Sequence, residues 1–478
     1  MKTRYTFWLL TLLLLPFFLN ARVLEVGSGR AMTLPSQAAA AAQDGDTVLI
    51  DAGSYTDACR WTASDLLIRG VGGFAHVRDK TYGGKGIWVL QGNNTTVEWI
   101  EFSGATVPDK NGAGIRMEGT NLTLRHCFFH DNEDGILAGD NAASRILIEY
   151  CEFARNGYGD GYSHNMYINH IAEFTIRYSY IHHAKIGHNI KSRAYRTFIV
   201  CNGIANGDDG TASRDIDLPN GGLAVIAGNV IEHGPNTQNS NVCGYGMEGL
   251  TNPVRNLYVA HNTMTTARSA GLFIQTPASG CDTVMVINNL FAGRASIFGG
   301  SALMLDTAAN LLLRDAAELR LADPAGFDYR PLADSPAIDA AIDAGSVEDI
   351  PLLPEMEYVH PAQATKRIIA GPPDIGALEY LPPVSVETTP SALSFDVDGP
   401  WPNPARGTAQ LRVALRRDTP IQVEMIDLSG NVAVLLRRDA GNPGLQTVAL
   451  DLRDVATGWY LCRIRAGNDV VYKSLIVW

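Results

Sequence analysis

Cysteine is scarce, charge is sparse, and no long apolar run follows the first twenty residues. The seven cysteines (Cys59, Cys127, Cys151, Cys201, Cys243, Cys281 and Cys462) are scattered over 478 residues with no C-x-x-C pair. That excludes a disulfide-built scaffold and a zinc ribbon. An oxidising compartment still permits a bridge, with Cys243 and Cys281 the favoured pair, and the odd count leaves at least one thiol free. Cations are in deficit: the net charge is −12, which excludes nucleic acid as a general partner because phosphate binding needs a basic surface. No glycine-rich phosphate cradle and no Gly-x-Ser-x-Gly elbow occur, so nucleotide and α/β-hydrolase chemistry have no motif to rest on.

The opening MKTRYTFWLLTLLLLPFFLNARV carries Lys2 and Arg4, an apolar run from Phe7 to Leu19, and a small residue at Ala21. This pattern is that of a secretory signal peptide spanning residues 1–21. No later stretch has the apolar length of a membrane span, so no span is expected in the mature chain. At 46% hydrophobic, the remainder can bury a large core, and its length favours more than one domain.

A phrase recurs along the first two thirds: VEWIEF, LRHCFF, IEYCEF, IRYSYI, IVCNGI, IAGNVI, VAHNTM and VINNLF. Alignment on the last apolar residue puts Ile100, Cys127, Cys151, Ser179, Asn202, Asn229, Asn262 and Asn289 in one column, with gaps of 23 to 33 residues. Between these phrases lie shorter strands, including GIRMEG, NMYIN, HNIKSR, DIDLP and GLFIQ. Several short strands per period, Gly and Asn at the corners, and no room for a helix specify a right-handed parallel β-helix over residues 22–380. The asparagine column marks corners, where Asn tolerates the left-handed conformation and its amide can bond to the next coil. Cys127 and Cys151 read as small fillers of that column.

An alanine-rich helix and a strand are expected in TLPSQAAAAAQDGDTVLIDAGSY, as a cap on the solenoid. This stretch resembles the opening of many secreted β-helix proteins. The other end needs a cover as well, and DYRPLADSPAIDAA and DIGALEY, from Asp328 to Tyr380, are expected there: they resemble the closing segment of bacterial β-helix repeat proteins. After a Pro, Ser and Thr linker at 381–398, the alternating runs AQLRVAL, IQVEMID and WYLCRIR predict a small antiparallel β-sandwich at 399–478. The chain is therefore expected to be all-β. WPNPARG, IDLSGN, LDLRDVATGWYLCRI and the terminal KSLIVW occur in the order found in the C-terminal sorting domain of proteins exported by type IX secretion, which this region resembles. The resemblance implies export by that machinery across an outer membrane, to the cell surface or the extracellular space. A carbohydrate-binding module is the alternative reading of the sandwich.

From His164 to Ile199 five cations face one anion, together with five histidines, a local basic region suited to an anionic ligand. Within GHNIKSRA (187–194), alternation puts His188 and Ile190 on one face and Asn189, Lys191 and Arg193 on the other. Aligning successive strands on Ile168, Ile190, Leu218, Met247 and Ile274 leaves Tyr167, Asn169, Asn189, Lys191, Asp217, Glu248 and Gln275 outward. Gln275 is ascribed to solubility. The rest form a polar patch a few coils tall, since coils stack about 4.8 Å apart, beside long loops at 154–164, 205–214 and 232–246.

An acidic polysaccharide suits this patch. Elimination across the glycosidic bond of a uronate needs a cation to neutralise the carboxylate and a base to take the adjacent proton. Lys191 is the candidate base, Arg193 the carboxylate binder, and Tyr167 or His164 the acid. Asn169, Asn189 and Arg214 are candidate substrate contacts. The secreted β-helical pectate, alginate and chondroitin lyases use Lys and Arg in this manner, and the chain is similar to them in fold type without matching their catalytic motifs residue by residue. GHNIKSRA with DIDLPNGG also resembles a stretch of bacterial right-handed β-helix proteins, which names no activity. Hydrolysis by Asp217 and Glu248 is the rival chemistry; GHN is only a fragment of the Gly-His-Gly of β-helical polygalacturonases. A non-catalytic surface protein that binds glycan or supports adhesion is the third reading. Calcium is a candidate cofactor through Asp208, Asp209, Asp215 and Asp217, without EF-hand spacing. His182, His183 and His188 are assigned structural roles and no metal. The chain is expected to be monomeric.

Overall fold

Alternation of apolar and polar residues in runs of three to seven residues dictates a half-buried strand, and the chain repeats such runs coil after coil. The computed structural model describes residues 21–314, 318, 320–382, 395–427, 431–438, 443–467 and 469–477. The leader read at residues 1–21, apart from its last residue, lies outside them, as do most of the linker and residues 428–430 of IDLSGN. The chain forms two compact units, Met1–Pro382 and Pro383–Trp478.

In the first unit each coil contributes three parallel strands. A ten-stranded sheet forms the first row, and a 21-stranded sheet supplies the second and third rows. One coil shows the pattern: Ile190–Ser192 in the first row, Arg196–Val200 in the second and Gly203–Ala205 in the third. Each pairs in parallel with the equivalent strand of the next coil: Lys191 with Asp217, Ile199 with Ile226, and Ile204 with Ile231. The expected parallel β-helix is thus the observed fold. A helix at Pro35–Ala41 caps the start, and a strand not expected from the sequence, Val23–Val26, precedes it and pairs with Thr47–Tyr55.

Inward residues stack on their own kind. Trp88 meets Phe102 edge-on at 4.9 Å, and Phe102, Phe129 and Phe153 follow face to face at 4.9 and 4.7 Å. Full burial of each such ring is worth about 2–3 kcal/mol, with about 1 kcal/mol more per ring pair.

The asparagine column is a continuous ladder. The backbone N–H and side-chain amide of Asn202 both donate to Asn229 Oδ1, those of Asn229 to Asn262 Oδ1, and those of Asn262 to Asn289 Oδ1. Ser179 Oγ and Cys151 Sγ accept from the backbone of the preceding coil in the same column. The left-handed residue is, however, the one before the column: Tyr150, Tyr178, Cys201, His261 and Asn288 all have φ between 50 and 58°. The corner bends one residue earlier than expected, so the column asparagine is free to bond along the axis.

All seven cysteines are buried free thiols. Cys243 lies in the first row and Cys281 in the second, so the favoured bridge is not formed. Each instead fills the core.

The closing segment is placed differently from its expected role. Tyr329, Ala337, Ile375, Ala377 and Leu378 pack on Tyr180, Ala205, Val230, Leu290 and Ala292, the outward residues of the third row. Val347 and Leu352 cover Phe198, Val225, Ala260 and Ile287 on the second row. The segment runs along the flank of the solenoid instead of plugging its end. Ala377 N–H donates to Thr263 Oγ1, and Arg196 pairs with Glu348 at 2.8 Å, fixing it there.

The second unit is a sandwich of one three-stranded and one four-stranded antiparallel sheet. Its core is Phe395, Leu411, Val413, Val423, Met425, Val448, Tyr460, Cys462 and Ile464. Its first strand begins at Phe395.

Candidate functional site

On the outer face of the first row, in-register pairing sets Arg116, Leu137, Tyr167, Lys191, Asp217, Gly244 and Gln275 in one file. At about 4.8 Å per coil, Tyr167 to Gln275 spans roughly 19 Å. The inward file is Ile136, Met166, Ile190, Ile216, Cys243 and Ile274. The sequence alignment on Ile168, Leu218 and Met247 is therefore out of register by two, two and four residues. Even-numbered slips preserve the face, which is why Tyr167, Lys191 and Asp217 still come together.

Arg193, one residue past its strand, donates three side-chain hydrogen bonds. Its Nε donates to Tyr167 Oη at 2.9 Å, its Nη1 to Asn220 Oδ1, and its Nη2 to Glu248 Oε2 at 2.5 Å. Lys191 Nζ donates to Glu248 Oε1 at 3.0 Å and lies 3.7 Å from Asp217 Oδ2. One half-exposed carboxylate thus bridges two largely covered cations: side-chain exposure is 47% for Glu248, 12% for Lys191 and 16% for Arg193. Glu248 does not lie on the strand face where alternation put it. It sits in the turn after Cys243–Tyr245, held by its own N–H on Pro219 O, and reaches back two coils.

Asp217 is buried and accepts from Arg214 Nη1 at 2.9 Å. Arg214 continues to Gln275 Oε1 at 3.1 Å, which also accepts from Asn241. Gln275 is therefore part of the network and not a solubility residue. Gly244 makes room: a Cβ there would lie 2.9 Å from Arg214 Nε. Gly187, at the head of GHNIKSRA, is required for a similar reason, as its Cβ would fall 1.9 Å from Ser163 O.

His164 and His188 stack at 5.1 Å beneath the patch. His188 Nδ1 accepts the Arg214 N–H, and His164 Nδ1 accepts the His188 N–H, so both rings carry their proton on Nε2. Burial, reinforced by the nearby cations and opposed by Asp217, holds His188 down to about 4. Burial and the neighbouring His188 push His164 well below its ordinary range. His164 is 2% exposed; it backs Tyr167 and cannot meet a substrate as the acid proposed from sequence. Burial raises Glu248, but the hydrogen bonds from Arg193 and Lys191 prevail and hold it below the usual carboxylate range.

Asn189 also departs from its outward assignment. It is fully buried just before the strand begins, where the chain is still turning and alternation does not apply. Its amide belongs to a second ladder that was not read from sequence. In that ladder Asn132 donates to Asn156, Asn156 to Asn165, Asn165 to Asn189, and Asn189 to Asn206 and Asp215. Asp215 Oδ2 in turn bonds His233 Nδ1 at 2.6 Å. Asn169 is half-buried with its Oδ1 taken by His170.

The aspartates considered for calcium do not converge. Asp215 is spent on the amide ladder and His233, Asp217 on Arg214, and Asp209 on His183. Tyr162, 88% exposed, stands in the loop before the Tyr167 strand.

Residues 48–183 match the model of the right-handed beta helix region, and residues 400–478 match that of the secretion system C-terminal sorting domain. No curated protein matches the chain. Among solved structures, the chain is similar to pectate lyase Pel9A at 12% identity and a TM-score of 0.47, over 75% of this chain and 96% of that one. It is also similar to the alginate lyase from Paenibacillus sp. str. FPU-7 at 13% identity and a TM-score of 0.40, over 62% of this chain and 98% of that one. No helix among the described residues is long and apolar enough to cross a membrane. The chain is a right-handed parallel β-helix protein that a C-terminal sorting domain directs through type IX secretion to the cell surface or the extracellular space.

Proposed function

We propose that the first-row patch acts on an acidic polysaccharide by β-elimination. The observation that carries this reading is the Glu248 carboxylate held between Lys191 and Arg193. A pair of basic side chains that already holds one exposed carboxylate can receive a uronate carboxylate in its place. In this reading Arg193 takes the substrate carboxylate as Glu248 swings aside, which stabilises the negative charge that develops when the adjacent proton leaves. Lys191 is the base that takes that proton. The carbon–oxygen bond of the glycosidic link then breaks as the double bond forms, and Tyr167 returns a proton to the departing oxygen. Arg214 extends the contact surface beside the file, Asn220 holds Arg193, and His164 and His188 support the patch from beneath.

The low proton affinity of Glu248 weighs against hydrolysis, because one carboxyl of a glycosidase pair must hold a proton near neutral pH. Asp217 is fixed by Arg214 and buried, which leaves it poorly placed to activate water.

The test is ultraviolet absorbance of unsaturated uronate while the mature protein meets a panel of acidic polysaccharides, with and without calcium. A rise that disappears in Lys191→Ala and falls in Tyr167→Phe is expected. No rise on any substrate, with new reducing ends lost in Asp217→Ala, would replace elimination by hydrolysis. Neither signal alongside glycan retention would make the patch a binding site only.

A further inference from the structure

On the third row, in coils that precede those the closing segment packs on, three side chains converge from three strands. His76 lies in Leu67–Arg78, Glu101 in Ile100–Ser103 and His130 in Phe128–His130. His76 and Glu101 are direct register partners, and His130 stands beside Ser103 one coil on. Glu101 Oε1 is 2.9 Å from His130 Nε2 and 3.5 Å from His76 Nδ1. All three ligand atoms lie within 4.8 Å of one another. Ligands around a tetrahedral zinc at about 2.0–2.1 Å sit roughly 3.3 Å apart, so little movement is needed to close on an ion.

The outer nitrogens are also engaged. His76 Nε2 bonds Ser103 Oγ at 2.7 Å, and His130 Nδ1 bonds Asp131 Oδ2 at 2.8 Å. Asp131 is itself fixed by Arg155 at 2.9 Å. Each imidazole therefore has one nitrogen turned inward and the other held by an oxygen, the arrangement that orients histidines toward a metal and raises their basicity. The side chains are 16–22% exposed, so the group is reached from solvent.

We propose that His76, Glu101 and His130 form a binding site for a zinc-class divalent transition-metal ion on the third-row flank, separate from the Lys191 patch. Two imidazoles and one carboxylate select such an ion over calcium, which takes six to eight oxygen ligands.

The test uses tag-free, chelator-treated full-length mature protein titrated with zinc by calorimetry, and with cobalt(II) by visible absorption. One ion per chain in the micromolar range or tighter, with the d–d bands of a low-coordinate cobalt site, is expected. His130→Ala should abolish both signals, and Asp131→Asn should weaken affinity by about 10–100-fold. Absence of the cobalt bands in the unmodified protein would overturn the proposal whether or not any variant folds. Zinc binding that survives His130→Ala would also overturn it. Loss of zinc binding with polysaccharide activity retained would leave the function proposed for the other face intact.

Discussion

Lys191 Nζ and Glu248 Oε1 lie 3.0 Å apart although 57 residues separate them along the chain. The contact joins coils that are not neighbours, and it closes the cationic patch with the chain's own carboxylate. If Glu248 occupies the place of a substrate group, Glu248→Gln should bind acidic polysaccharide several-fold more tightly. A half-exposed ion pair is worth up to about 1 kcal/mol, which corresponds to roughly fivefold in affinity. Affinity electrophoresis measures this directly, and weaker retention in the variant would refute the displacement idea.

Asp217 sits beneath that contact with Arg214 as its closest partner. Asp217→Ala leaves the Arg214 guanidinium, 15% exposed, with Gln275 Oε1 in place of a charged partner, and a broken, largely buried pair costs about 3 kcal/mol. Urea unfolding followed by circular dichroism should show a lower midpoint with an unchanged slope. An unaltered midpoint would mean that Arg214 finds water or another acceptor at no cost.

Acid should loosen the β-helix unit in a defined window. His188 titrates at 6.5 when unfolded and at about 4 in the fold, so between those values the unfolded chain binds the extra proton. Stability is then greatest above pH 6.5 and falls as pH drops toward 4, by up to about 3 kcal/mol from this one group. Thermal melts across that range should show the slope reduced in His188→Asn, whose amide oxygen can still accept the Arg214 N–H. An identical slope in the variant would assign the acid sensitivity to other groups.

The amide ladder predicts a graded series. Asn229 accepts from two donors of Asn202 and donates to Asn262 and to Ile199 O. Asn229→Leu leaves the buried Asn202 N–H unmatched, at about 1–3 kcal/mol, while the Asn202 amide keeps Ile176 O and Val200 O. Asn229→Ser should cost less, because Ser179 fills the equivalent position and accepts from the Cys151 N–H. Equal losses in the two variants would show that the column matters for shape alone.

The solenoid was legible because its period, its corner asparagines and its alternating strands are all written in contiguous phrases such as IAGNVI. The sorting domain was legible because its motifs occur in a fixed order. The site was only half legible. Tyr167, Lys191, Arg193 and Asp217 survived a register misalignment because the slips were even-numbered. Asn189 failed because it stands at a bend, and His164 because alternation does not report depth. The role of Gln275 depended on Arg214 lying across Gly244, a packing detail without a linear signature.

The closing segment was misread because order along the chain suggested an end cap. A usable signal was present: LAVIAG and NLFAG are apolar on both faces, which marks strands covered on both sides. The His76, Glu101 and His130 group had no such signal, because it exists only through the stacking of three coils.

That flanking segment changes how the solenoid should behave as a polymer. A simple stack of repeats is held by nearest neighbours and can fray or lengthen one repeat at a time. Here residues near Tyr329 and Leu378 span coils from Tyr180 to Leu290, so those coils are bound into a single cooperative block. The segment is also synthesised after the coils it shields. The emerging chain therefore carries an apolar flank until its last portion arrives, and a stop codon just before Leu321 would expose that flank even though every upstream coil were complete.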